Sequence, residues 1–403
     1  MIKRVLPFIL SMSISLNMVA KASDESITKN ELKIGSTYTF KSLGAVRFEE
    51  GEFGVSRLAY TDGAIAVSST DNIVYVAGHD RHFSVGGFLL NKKPKHDSVS
   101  SLPIMPNILP FTKVDPKYRE TKTANVITGL EVIDNELLVT TDEYYDADHN
   151  NKEHLVIFKN RLDLEKSEQD GFFTMTGGSH SAGWMSKIPA PLSDELDALY
   201  LAGSASNLPI NSRHSIGPSL FTWFPFFLSG TKGESNIITT EALIDYSLNY
   251  PLHDDSKNET KKNELWTELS TAVYGFISPD QRNYIVLGTS GGHKSEIGYK
   301  ITRKNGKKCG GFCAMDPTDY YNYYWIYSVE DIKESFSKRN MPETLRPTQY
   351  GKLELFDHKY PIIGADYDRE SQKLYLMLKN LDSSQNSWES QPLLVIYEYA
   401  DTK

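Results

Sequence analysis

Residues able to do chemistry cluster in short polar segments, each following an apolar, often tyrosine-containing run. His79-Asp80-Arg81-His82 follows residues 73–78 (IVYVAG), and Asp142-Glu143-Tyr144-Tyr145-Asp146 follows residues 137–141. Residues 207–214, ending in Arg213-His214, follow residues 198–203 (ALYLAG). Gly291-Gly292-His293-Lys294 follows residues 284–288, and Lys379-Asn380 with Asp382 follows residues 373–378. Five of the ten histidines (His79, His82, His180, His214 and His293) lie in or near these segments or just before the first run of a pair. An imidazole changes charge near neutrality and can bind a ligand or move a proton. His79, Arg81, Arg213, His214 and His293 are therefore the candidate ligand-binding residues. His79, Arg213, His214 and His293 are the candidates for catalysis.

Residues 211–219 (NSRHSIGPS) are the densest stretch. Arg213 offers a two-pronged donor for a carboxylate or sulfate. His214 supplies a base, Ser212 or Ser215 a hydroxyl, and Gly217-Pro218 a turn to hold them. An Arg–Asp pair bracing a long loop explains the same residues. No Gly-x-Ser-x-Gly elbow is present, so a serine hydrolase is not supported. Asp146, Asp148 and Asn150 have the spacing of the first ligands of a calcium loop. Asn151 stands where that loop needs glycine and Ile157 where it needs glutamate, so a solvated acidic loop is the favoured reading and calcium the lesser one. No other cofactor is expected. The same acids read as a glycosidase pair are unspecific.

Five pairs of short β-type runs must position these segments: residues 58–60 with 73–78, 127–132 with 137–141, 183–185 with 198–203, 272–277 with 284–288, and 362–367 with 373–378. Turn residues separate most pairs: Asp62-Gly63, Asp134-Asn135, Pro279-Asp280 and Asp368-Arg369. A lone hairpin cannot bury both faces. Radial repetition of small antiparallel sheets can, which predicts an all-β chain folded as a β-propeller. Five blades are expected, with a sixth or seventh sought in residues 91–124 or 235–269. Residues 35–40 are expected to add the outer strand of the last blade and close the ring. A β-sandwich is the alternative fold. In a propeller, the segments after each second strand share one face, which gathers the candidate residues there. Helical periodicity is confined to residues 330–339. Tyr321, Tyr323, Trp325 and Tyr327 share a strand face and are expected to pack in the core.

The 403 residues are 39% apolar and 24% charged, which excludes a disordered chain, a collagen and a multi-span membrane protein. Residues 1–22 read as a secretory signal, with basic Lys3-Arg4, an apolar stretch and Ala20-Lys21-Ala22 before the cut. Residues 23–403 then form one domain, exported to a periplasmic or extracellular space. The signal removes Lys3, Arg4 and Lys21 and no acid, so the formal charge goes from −9 to −12. Such a surface repels phosphate backbones, and nucleic acid is excluded as a partner. No stretch is long and apolar enough for a membrane span. Cys309 and Cys313 are expected to pair as a short-range disulfide.

Residues 183–189 (GWMSKIP), 212–219 (SRHSIGPS) and 364–368 (GADYD) make the chain similar to a group of secreted β-propeller-like proteins with no assigned activity. The resemblance implies the fold and export and adds no catalytic residue. The functional expectation is an exported monomeric propeller that binds a glycan or other polar ligand on its loop-lined face. A polysaccharide lyase or hydrolase on that face, and a protein-interaction scaffold, are the alternatives.

Overall fold

The computed structural model describes residues 25–28, 30–117, 123–204, 214–225, 236–355 and 360–400. The signal segment lies outside them. Five antiparallel sheets make five blades. Blade one is Ile65–Ser68, Ile73–Ala77, Ser84–Leu89 and Asn107–Lys113. Blade two is Val126–Ile133, Glu136–Asp142, Leu155–Phe158 and Gln169–Met175. Blade three is Trp184–Lys187, Tyr200–Gly203, Leu220–Trp223 and Glu241–Ile244. Blade four is Thr271–Ile277, Asn283–Gly291, Tyr320–Ser328 and Gln349–Lys352.

Blade five combines Ile362–Asp368, Lys373–Asp382 and Gln391–Tyr399 with the early strands Tyr38–Phe48 and Leu32–Ile34. Phe40 pairs with Tyr399 and Arg47 with Leu393, so the two ends of the chain close the ring together. The closing strand starts at Tyr38 and runs further than residues 35–40.

The β-sandwich alternative fails, because each sheet packs against the next around an axis. A separate hydrophobic cluster fills the joint of blades one and two (Tyr75, Val85, Leu130, Val139). Others fill two and three (Leu138, Ile157, Met185, Trp223) and five and one (Val76, Phe88, Met377, Leu394). The largest spans blades three to five. Sheets covered on both faces explain the unbroken apolar runs IVYVA and LVIF, buried along their whole length. Hydrogen bonds also bridge neighbouring blades. Thr140 Oγ1 donates to Gly183 O at 2.6 Å and Trp184 Nε1 to Tyr284 OH at 3.1 Å.

The turn between the first two strands of every blade holds one left-handed residue: Asn72, Asp134, Asp197, Gln281 or Gln372. Blade one corrects the sequence reading. Its innermost strand is Ile65–Ser68, not residues 58–60, and its turn is not Asp62-Gly63. Tyr60 has a positive φ of 63°, outside the extended region, and residues 58–60 form a bend and turn. Among the described residues there is no sixth blade. Asn107–Lys113 and Glu241–Ile244 are the outer strands of blades one and three, and Ile237–Ile238 pairs alongside blade two.

Val329–Lys338 is the expected helix, capped by Ser328, whose hydroxyl accepts the Asp331 amide. A second helix, Ala190–Leu196, sits within the first hairpin of blade three. Cys309 and Cys313 form a disulfide on the small hairpin Ile297–Tyr299 and Phe312–Ala314. Among the described residues no helix is long and apolar enough to cross a membrane.

Candidate functional site

The five innermost strands run side by side, so the chain returns to the axis once per blade. Their starts surround a cavity of about 480 Å³. Each blade contributes to its wall: Asp62 from the first, Thr128 from the second, Trp184 and His214 from the third, Thr271 and Thr289 from the fourth, Ile362 and Lys379 from the fifth. This is the face to which the segments after the second strands lead. The hydroxyls of Thr128 and Thr271 have no hydrogen-bond partner among the described residues. Desolvation in the mouth, then the charge of Asp80, pushes the Asp62 carboxyl up to about 6, and Lys379 works against both.

Among the described residues His214 is the one histidine in this wall, and it is 2% exposed. Its Nε2 lies 3.4 Å from Asp142 Oδ2, at the end of the second strand of blade two. Asp142 Oδ1 also accepts from Asn151 Nδ2 at 2.8 Å and from Ser179 Oγ at 2.9 Å. Burial raises the Asp142 carboxyl despite these bonds. Nearby His154 is also buried, and burial pushes its imidazole down. Its Nδ1 accepts the Met175 amide at 3.1 Å. Arg213 and Ser212 lie outside the described residues.

His79 and His293 share this face but are not in the cavity wall. The His79 ring stacks on His82 with centroids 4.7 Å apart, and its Nδ1 lies 2.5 Å from Asp80 Oδ1. Arg81 is exposed, and its amide donates to His79 Nδ1. His293 is turned into blade four. Its Nδ1 donates to Asn263 O at 2.9 Å, which leaves Nε2 to accept from Ser290 Oγ at 2.7 Å. Its ring stacks on Tyr323 at 5.2 Å, and burial pushes its imidazole down, which keeps it neutral. Three of the four residues of the aromatic row pack as expected: Tyr323, Trp325 and Tyr327 are buried, with Tyr323 OH on Glu264 O and Trp325 Nε1 on Leu265 O, while Tyr321 is only half-buried.

Asp146 accepts the amides of Asn150 and Asn151, and so shapes a turn, while Asp148 and Asn150 point to solvent. Among the described residues no group of three or more His, Cys, Asp or Glu is placed to hold a metal ion.

The other end of the channel carries residues that loop-based reasoning missed. Asp366, on the innermost strand of blade five, accepts the Val67 amide of blade one at 2.7 Å and the Tyr274 hydroxyl of blade four at 3.0 Å. Glu131 of blade two lines the same cavity, of about 340 Å³. Burial, then the charge of Asp366, raises Glu131 well above the usual carboxylate range. Burial likewise pushes Asp366 up to about 6. The available signal was an acid inside an apolar innermost strand: Glu131 in ITGLEV and Asp366 in IIGADY.

No family model and no curated protein matches the chain. Among solved structures, it is similar to an endo-arabinase from Bacteroides thetaiotaomicron at 10% identity and a TM-score of 0.42, over 88% of this chain and 100% of that one. It is also similar to a luciferin-regenerating enzyme at 8% identity and a TM-score of 0.26, over 86% and 92%.

Proposed function

We propose that the protein is an exported propeller that binds a glycan in the cavity at the mouth of its channel. The observation that carries this reading is the wall itself: five blades supply hydroxyls, a tryptophan and a few charged groups around about 480 Å³. A sugar presents many neutral hydroxyls and apolar C–H faces, and a wall mixing Thr128, Thr271 and Thr289 with Trp184 and Ile362 meets both. Asp62 and Lys379 nearly balance, so the cavity asks for no strongly charged ligand. The Cys309–Cys313 disulfide supports an oxidising, exported location.

A hydrolase or lyase in the same cavity is the second reading. The Asp142 carboxylate behind His214 favours it, because a buried acid can orient and stabilise an imidazole that moves protons. Isothermal titration against neutral and acidic polysaccharides, with product release followed in parallel, tests both. Glycan binding that weakens at least about tenfold in Lys379→Ala and His214→Ala supports the binding reading. Products that vanish in His214→Ala shift it to the enzyme. Binding by no glycan, or binding unchanged in both variants, overturns the site.

A further inference from the structure

The far end of the channel is a built cavity, separate from the mouth. It is lined by Ser68, Glu131, Ser186, Tyr274 and Asp366, one from the innermost strand of each blade. Tyr200, Phe276 and Tyr367 add aromatic walls. Five carboxylates line it against three basic residues. The basic groups are largely engaged. Arg161 holds Asp71 at 2.5 Å and the Asp134 carbonyl at 2.7 Å. Arg369 donates to the Ile277 and Ser278 carbonyls. Lys187 is exposed at the rim. Two buried hydroxyls line the same cavity, Ser186 at 5% and Tyr367 at 8% exposure, and neither has a hydrogen-bond partner among the described residues.

We infer that this end of the channel binds a small hydroxylated organic ammonium ion, its –NH₃⁺ held between Glu131 and Asp366 and its hydroxyls met by Ser186 and Tyr367. An ammonium donates three hydrogen bonds and carries the charge that two facing carboxylates lack. Aromatic rings beside it add cation–π attraction. An anionic ligand is disfavoured by the same charges, and among the described residues no group of three or more acids is placed closely enough to hold a metal ion.

Binding displaces the proton that the pair otherwise retains. The groups acting on the pair are Lys187, which opposes the rise of Glu131; Asp368, which adds to that of Asp366; and Tyr274, which donates to Asp366. Affinity therefore falls about tenfold for each pH unit below about 6.

Isothermal titration of the purified protein with ethanolamine tests this, with ethylene glycol as the uncharged counterpart. An alkylammonium titrates near about 10, so the probe stays charged throughout. Expected are one-to-one binding of ethanolamine alone, proton release that scales with the buffer's ionisation heat, and weakening of at least about tenfold between about pH 7.5 and about pH 5. Glu131→Gln copies the protonated acid in shape and charge, so it keeps the fold while losing proton release and about tenfold in affinity. Asp366→Asn gives the same loss. Equal response to ethylene glycol, no binding at either pH, or unchanged affinity in Glu131→Gln overturns the inference. The assay does not involve the channel mouth, so its failure leaves the glycan reading standing, and the reverse holds too.

Discussion

The imidazole of His214 in blade three lies 3.4 Å from the carboxylate of Asp142 in blade two, and both side chains are 2% exposed or less. Removing one member of a buried polar pair leaves the other desolvated without its partner. His214→Ala is expected to cost about 3 kcal/mol in urea unfolding. Asp142→Asn keeps an acceptor for Asn151 and Ser179 and removes a carboxylate that burial already disfavours, so its cost is about 1 kcal/mol. Equal losses in the two variants would mean that packing, not the pair, holds this joint.

Ring closure has a polar lock of its own. Arg47, on the early strand of blade five, places Nε 2.9 Å from Asp382 Oδ2, with side-chain exposures of 7% and 0%. The same guanidinium donates to the Ser100 carbonyl at 2.8 Å. Arg47→Ala strands a buried carboxylate and is expected to cost about 3–5 kcal/mol in chemical denaturation. Proteolysis should then cut first near the loosened early strand, Tyr38–Phe48. A variant as stable and as protease-resistant as the parent would show that the strand's apolar pairing closes the ring unaided.

Much of this architecture was legible because both faces of most blade strands are covered. Residues 137–139 and 284–287 read as continuous apolar runs, and Asp134-Asn135 and Pro279-Asp280 mark the turns before them. Blade one was misread because Leu58 and Ala59 are apolar and buried without being strand. The candidate site was legible in its face and less so in its members. Sequence spacing located the segments of His79 and His293 but not the direction of their rings, which depends on Ser290, Asn263 and Tyr323 for one and on His82 and Asp80 for the other. Glu131 and Asp366 sit inside strands, and only the ring geometry brings blades two and five to one cavity.

The channel acids also set a pH dependence. Asp366 is at about 6 in the folded protein against 3.8 when free, and Glu131 is raised in the same sense. The folded state thus binds these protons more tightly than the unfolded chain. Their stabilising effect is complete below about pH 4 and is lost as pH rises to about 6 and beyond, on the order of 3 kcal/mol for Asp366. Asp71 and Asp255 are shifted downward and act oppositely, so the whole-protein profile mixes both signs. The difference between parent and Glu131→Gln isolates the pair. The variant should match the parent at about pH 4 and melt higher at about pH 7. A constant difference across that range would mean that Glu131 does not titrate differently on folding.

The joint of blades five and one also depends on backbone approach. A Cβ on Gly364 would lie 1.7 Å from Gly63 O, and Gly63 itself has a φ of +101°. That contact is with main chain, which has no flexible end to swing away, so Gly364→Ala must push the innermost strand of blade five away from the segment that leads into the innermost strand of blade one. The cost is expected at about 3 kcal/mol, the upper part of the range for overpacking. Gly311, beside the disulfide, has nothing within 4 Å of the same added atom, and Gly311→Ala should change stability by less than about 0.5 kcal/mol. Because Gly364 stands two residues before Asp366 on one strand, displacement there also moves the carboxylate away from Tyr274 and Val67. Guanidinium unfolding of the two alanine variants, beside ethanolamine titration, separates the effects. A Gly364→Ala protein of parental stability would show that the two segments can part at that joint without cost.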